Sequence, residues 1–266
     1  MPTDHLPCYN NQKQLPKNNH PTTNKDDMDL FHHSDTDIIS PTAYLDGDRW
    51  TGTDFLAQLH DDGKGVVIHL PFGRLYYAPC YFNKTVADAY LAHLLAQDEQ
   101  GRYQHINWRQ DDITLYGKTH KIPRLSAWYG DAGCTYSYSG IHLTPNAWTD
   151  ELITMNDALF AVCKRRFNSV LLNLYRTGDD HMSYHSDDEV ELGRNPLIAS
   201  VSFGQSRRFL LRLKDNHATK LELPLSHGSL LVMAGELQHH WQHAIPKQKR
   251  ATAPRVNLTF RNIIVN

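Results

Sequence analysis

The sequence predicts an α+β fold in which β-structure dominates, and three observations carry that reading. Residues Arg255 to Arg261 (Arg-Val-Asn-Leu-Thr-Phe-Arg) alternate strictly, so Val256, Leu258 and Phe260 share one strand face and Arg255, Asn257, Thr259 and Arg261 the other. Short runs of strand character recur before it, near 197–203, 208–213, 221–223 and 229–233. Only two segments carry a clear helical stripe. With 266 residues, 40% of them hydrophobic, the chain can bury one sizeable core, and no internal repeat divides it.

Taken in order, residues 1 to about 45 are rich in Asn, Asp, Thr and Pro and poor in large apolar groups until Leu30-Phe31, a composition that cannot offset the cost of ordering. A disordered acidic tail is expected there, followed by one domain over 46–266. Residues 52–60 are expected to form a short helix with Phe55, Leu56 and Leu59 on one side. Gly65 to Leu70 reads as a strand, turned by Pro71-Phe72-Gly73 into a second at Leu75–Tyr77. Asn83 then suits a helix N-cap, because Ala87, Leu91, Leu94 and Leu95 recur at helical spacing behind it. A second helix spans about 149–165, with Leu152, Met155, Leu159 and Val162 on one face and Lys164, Arg165 and Arg166 where cations suit the dipole. Val170 to Tyr175 is a strand on which Asn173 and Tyr175 share a face.

The net charge of -2 averages two unlike parts: residues 1–62 hold 4 Lys+Arg against 11 Asp+Glu, leaving 23 against 18 for the remainder. The resulting surplus of +5 permits a phosphate-binding face without demanding one. Cys8, Cys80, Cys134 and Cys163 lack paired metal spacing and read as reduced thiols. No apolar run is long enough for a membrane span and no signal-like segment leads the chain, so an intracellular protein without a membrane partner is expected. A serine hydrolase would need a Gly-x-Ser-x-Gly elbow, which the sequence does not contain.

The chemistry centres on His185-Ser186-Asp187-Asp188-Glu189. On a strand His185 and Asp187 point the same way and can bind one metal ion together. A further histidine would complete two imidazoles and one carboxylate on one side of an iron(II) ion, leaving positions open for a co-substrate and O2. Spacing leaves His239, His240 and His243 all eligible. The acidic surroundings do not make an EF-hand, since the glycine that turns such a loop is missing. On the last strand an inward polar face would suit an anion, the guanidinium fork pairing bidentately with a carboxylate.

Together, Asn173-Leu-Tyr175, His185-Ser-Asp-Asp-Glu189, Pro196-Leu-Ile-Ala-Ser-Val-Ser-Phe-Gly204, His227-Gly-Ser-Leu-Leu231, Trp241-Gln-His243 and Ala253-Pro-Arg-Val-Asn-Leu-Thr-Phe-Arg261 resemble the AlkB family of iron(II)/2-oxoglutarate-dependent nucleic-acid dealkylases, most of all its duplex-DNA repair branch. The resemblance covers roughly 66–266 and implies a double-stranded β-helix (jelly-roll) core over about 167–266, with a nucleotide-recognition lid over about 105–145. It selects His243 as third ligand beside His185 and Asp187, with His240 as fallback. Asn173, Tyr175, Arg255, Arg261 and Asn257 are implied as the 2-oxoglutarate site, and Tyr138, Tyr136, Glu189 and Arg124 as contacts to the damaged base. Leu115, Tyr116 and Gly117 resemble the hydrophobic finger that fills the space left by a flipped nucleotide. Glu189 lies on the face of Asp187 if the strand continues.

The implied activity is oxidative demethylation of 1-methyladenine and 3-methylcytosine in DNA, double- or single-stranded, with Fe(II) and 2-oxoglutarate as cofactors, O2 as co-substrate and ascorbate as reductant in vitro. RNA or a protein side chain is the alternative substrate. The resemblance further implies a monomer, cytoplasmic in a bacterium and nuclear in a eukaryote.

Overall fold

A computed structural model describes residues 38–39, 55–115, 117–134, 136–138 and 141–264; the remainder of the expected tail, Tyr116 and the chain end lie outside it. The first strands are β1 (Ile38–Ile39), β2 (Ala57–Leu59), β3 (Val66–Leu70) and β4 (Gly73–Ala78), paired antiparallel in that order. The expected helix over 52–60 is therefore corrected to a strand at Ala57–Leu59. An apolar stretch this short has no decisive period, and hydrogen bonding to the edge of β3 settles it. Gly73 is required at the β3–β4 turn, because a Cβ there would lie 2.5 Å from the Ala234 carbonyl oxygen.

Helix α1 (Lys84–Leu95) starts where expected, the Asn83 side chain accepting from the Val86 N–H at 3.0 Å. The hairpin β5 (Asp112–Leu115) and β6 (Lys118–Lys121) turns at Gly117, whose φ of +75° suits glycine. Next come β7 (Leu125–Gly130), the short pair β8 (Tyr136–Tyr138) and β9 (Ile141–Leu143), and α2 (Asp150–Cys163). The whole predicted stripe of α2, Leu152, Met155, Leu159 and Val162, is buried. Lys164 terminates it in the left-handed region.

The second half supplies β10 (Ser169–Tyr175), β11 (Met182–His185), β12 (Ile198–Gly204), β13 (Arg207–Leu213), β14 (Lys220–Leu225), β15 (Ser229–Gly235), the single helical turn α3 (Leu237–His240), β16 (Trp241–Ile245) and β17 (Arg255–Arg261). These strands form two antiparallel sheets, a major one in the order β1-β2-β3-β4-β15-β12-β17-β10-β7 and a minor one in the order β11-β16-β13-β14. The architecture is the expected jelly roll with flanking helices.

Two apolar layers hold it together. Val256, Leu258 and Phe260 of β17, with Val170, Leu172 and Leu174 of β10, pack against the stripe of α2. On the other side of the major sheet, Tyr175, Ile198, Leu231 and Met233 meet Phe209, Leu211, Leu223 and Ile245 from the minor sheet. Each fully buried aliphatic or aromatic side chain contributes about 1.5–3 kcal/mol. Every residue of β17 is buried, so its polar face lies inside the sandwich and not in water.

Candidate active site

In-register pairing builds one polar wall across the centre of the major sheet. Arg255 stands opposite Tyr175, Asn257 opposite Asn173, and Arg261 opposite Ser169. On the other flank, Asn257 faces Ser202 and Thr259 faces Ser200. Paired residues project to the same side, so these groups share the interior between the two sheets.

The minor sheet supplies the opposing wall. His185 ends β11 directly opposite His243 on β16, with ring centroids 4.2 Å apart. Asp187 lies beyond the end of β11, so the expectation that strand alternation aligns it with His185 is corrected; a loop does so instead. The three nevertheless meet: His185 Nε2 is 3.7 Å from Asp187 Oδ1, His243 Nε2 is 3.9 Å from Asp187 Oδ2, and one ligand atom from each lies within 4.8 Å of the others. Among the described residues this is the one such group of His, Cys, Asp and Glu. His239 bonds Asn195 and His240 stacks on Phe72, so neither competes with His243.

The protonation states of His243 and Asp187 suit a divalent metal, whose ligands must be deprotonated. Burial, together with the charge of His185, holds the His243 imidazole down to about 3, neutral under ordinary conditions. Burial alone would raise the Asp187 carboxyl, but Arg261 and the two histidines outweigh it and keep the pKa low. The Nδ1–H of His185 donates to the Ser183 carbonyl at 2.9 Å, which leaves Nε2 to face the cluster. Arg261 donates from Nη2 to Asp187 Oδ2 at 2.9 Å, and Oδ1 is the carboxylate oxygen nearer His185. Two imidazoles and one anchored carboxylate are a donor set that fits iron(II).

Arg255 lies at the other end of the wall, its Cα about 20 Å from that of Arg261 by strand rise, so the two long side chains reach different ends of the cavity. Its guanidinium donates from Nη2 to Ser202 Oγ at 2.9 Å, while Nε and Nη1 are buried with no hydrogen-bond partner among the described residues. Burial lowers its pKa to about 10, with the Tyr175 hydroxyl pulling upward and Arg207 downward, so it stays charged. Such a cation fits an anionic ligand. Asn173 accepts from Arg124 Nε at 2.8 Å, which keeps the Asn173 amide group available as a donor. Asn257 differs from that pattern: Nδ2 is committed to Ser200 Oγ and to the Val201 carbonyl, so it braces the wall.

Other expected residues fall elsewhere. Glu189 does not continue the strand beside Asp187; it precedes a 3-10 turn at Val190–Leu192. The strand ends because the Ser186 hydroxyl and the Asp187 N–H are drawn to Trp241 and Gln238. Tyr136 and Tyr138 lie on β8 and Leu115 on β5, with side chains outside the described residues, as is the whole of Tyr116. Two neighbours of the site escaped sequence reasoning. Arg207, 2% exposed, donates to the carbonyls of Thr177, Asp180 and Pro246 and lies over the Tyr175 ring. Its signal was a cation sharing a strand face with Phe209 and Leu211. Gln238 left no sequence signal.

Fold and site together define an oxygenase of the type that uses iron(II) and 2-oxoglutarate. Residues 74–261 match the 2OG-Fe(II) oxygenase superfamily, and the chain belongs to that superfamily and, within it, to the AlkB-like family. It is 45% identical to human "DNA oxidative demethylase ALKBH2" over 191 residues, 69% of this chain and 71% of that protein. The mouse protein of the same name is 46% identical over 159 residues, 57% of this chain and 66% of its own length. Human "Alpha-ketoglutarate-dependent dioxygenase alkB homolog 3" is 41% identical over 60% of this chain and 58% of its own. Among solved structures, that of OsALKBH1 aligns with a TM-score of 0.46 at 13% identity, over 74% of this chain and 99% of that one.

Proposed function

We propose that this chain is an iron(II)/2-oxoglutarate-dependent oxidative demethylase of N-methylated bases in DNA, such as 1-methyladenine and 3-methylcytosine. The observation that carries the reading is the pairing, inside one sandwich, of a His-Asp-His set with a buried arginine whose Nε and Nη1 have no partner among the described residues. The substrate class follows from similarity to proteins named as DNA oxidative demethylases.

In this reading His185, Asp187 and His243 hold the metal and Arg261 fixes the carboxylate among them. Arg255 would hold the distal carboxylate of 2-oxoglutarate, with the Tyr175 ring 5.1 Å from its guanidinium carbon and Asn173 as a further donor. When bound, the metal and co-substrate couple decarboxylation of 2-oxoglutarate by O2 to hydroxylation of the methyl group, which the base then releases as formaldehyde. Burial of the wall between two sheets excludes water from this chemistry.

Tyr136, Tyr138 and Glu189 are assigned to the extruded base, and Leu115, Tyr116 and Gly117 to the gap it leaves. Stacking on an aromatic ring supplies about 1–3 kcal/mol and extrusion costs a few kcal/mol, so a lesion that has already lost its pairing is favoured. An intracellular location, in the compartment that holds the DNA, and a monomeric state belong to the same reading.

The test uses purified protein with iron(II), 2-oxoglutarate and ascorbate on matched single- and double-stranded oligonucleotides bearing 1-methyladenine. Demethylation with formaldehyde release is expected, and its loss in His185→Ala, Asp187→Ala and His243→Ala. Full activity in all three variants would remove the site assignment. Tyr116→Ala should reduce duplex repair more than single-strand repair; equal losses would discard the finger. Consumption of 2-oxoglutarate without change in either oligonucleotide would redirect the search to RNA or protein methyl groups.

A further inference from the structure

Asp187 is the one ligand that no strand holds, and its backbone shows what does. A buried N–H needs a partner, and that of Asp187 donates to Gln238 Oε1 at 3.0 Å, across 51 residues of sequence. Gln238 is 2% exposed and its Nε2 donates to Met233 Sδ at 3.4 Å. Rotating the amide by half a turn would set N–H against N–H and oxygen against sulfur, so the environment fixes its orientation.

Two neighbouring contacts tie the same loop to the same turn. The Ser186 hydroxyl donates to the Trp241 carbonyl at 2.8 Å, and Lys214 Nζ bridges the Gln238 carbonyl at 3.0 Å to Asp188 Oδ2 at 3.2 Å. The turn α3 is itself anchored to the major sheet. The indole of Trp241 donates to the Pro71 carbonyl at 2.9 Å, and the Glu236 N–H donates to the Phe72 carbonyl at 2.8 Å. Because α3 leads directly into β16, the element that grips the Asp187 peptide also carries His243.

We infer that Gln238 is a positioning residue for the metal centre: its side-chain oxygen orients the Asp187 peptide and so sets the carboxylate against His185 and His243. The inference rests on the metal reading above. Residues that orient a ligand in this way are worth about 10- to 100-fold in metal affinity.

The experiment titrates the full chain with Mn(II), a redox-stable stand-in for iron(II), by calorimetry without co-substrate and well below the melting temperature of each variant. Gln238→Leu, similar in volume but without the acceptor, is expected to bind Mn(II) about 10- to 100-fold more weakly. Gln238→Glu, protonated in that buried place and still able to accept, should return toward the wild-type affinity. Lys214→Met, which frees the Gln238 carbonyl and Asp188 but leaves the Asp187 N–H paired, should keep it. Wild-type affinity in Gln238→Leu overturns the inference, as does a loss in Lys214→Met equal to that in Gln238→Leu. Should Gln238→Leu fail to fold, the unbranched Gln238→Met carries the same test with the same two outcomes. Wild-type protein that binds no Mn(II) would sink the metal reading instead, leaving the two failures distinct.

Discussion

Arg255 is a buried cation whose hydrogen bonds reach only a hydroxyl, and its energetics differ between the free and the ligand-bound protein. Without an anion, two buried donors go unmet and the site pays for desolvating a charge; with a carboxylate in place both terms reverse. Arg255→Met should therefore leave the melting temperature of the ligand-free protein unchanged or higher, since an apolar side chain of similar length often replaces a buried charge without loss. The KM for 2-oxoglutarate should rise by about one to two orders of magnitude, from the ~1.5–3 kcal/mol of a charge-assisted hydrogen bond. Calorimetry with and without 2-oxoglutarate tests both halves, and a variant that keeps the wild-type KM would remove Arg255 from the co-substrate site. Residue types made this position legible, because an arginine alternating with Val256 and Leu258 must face either water or an interior anion. That it faces the interior and not water was settled by the minor sheet that covers it.

At the scale of elements, the turn between β2 and β3 shows how a local carboxylate stabilises an edge of the major sheet. Asp62 accepts from the Tyr76 hydroxyl at 2.5 Å and from the Lys64 N–H at 2.9 Å, with the His60 imidazole 3.0 Å away. Burial would raise its pKa, but hydrogen bonding from His60, Tyr76 and Lys64 lowers it to about 2. A depressed carboxyl contributes stability that is complete above the unfolded value of 3.8 and is lost as pH falls toward about 2. Asp62→Asn should thus cost about 1–2 kcal/mol near neutral pH and almost nothing near pH 2, read from urea midpoints at both. An equal cost at both pH values would show that the carboxylate charge is not what matters. The same region marks where sequence periodicity failed. Phe55, Leu56 and Leu59 satisfy a helical spacing, yet three residues of hydrogen bonding to β3 outweigh it. By contrast α2, with four buried positions at helical spacing and Thr149 accepting from the Leu152 N–H, was legible almost residue by residue.

For the whole molecule, the three candidate metal ligands belong to two neighbouring strands of the minor sheet and a loop, while Arg261, which anchors Asp187, comes from the centre of the major sheet. A metal held there binds only the folded chain, since only the fold brings the three side chains together. Saturating Mn(II), at about 100 times its Kd, should therefore stabilise the protein by about 2.7 kcal/mol. Scanning calorimetry should register this as a rise of about 5–10 °C in Tm. The shift should vanish with chelator and in Asp187→Ala; a melting temperature indifferent to Mn(II) would argue that the cluster does not hold a metal.

The sequence by itself determined the β-rich class, the helix over Asp150–Cys163, the alternation of β17 and the pairing of His185 with Asp187, because each depends on a short-range period or on residue chemistry, while spacing left three histidines eligible beside them and only the family resemblance chose His243. Only the tertiary structure decided that the polar face of β17 looks inward, that Arg261 serves Asp187 while Arg255 meets Ser202 and Tyr175 at the far end, and that Gln238 grips the Asp187 peptide. Those facts depend on which sheet covers which face and on contacts between residues 51 and 74 positions apart, a separation at which no local pattern carries information.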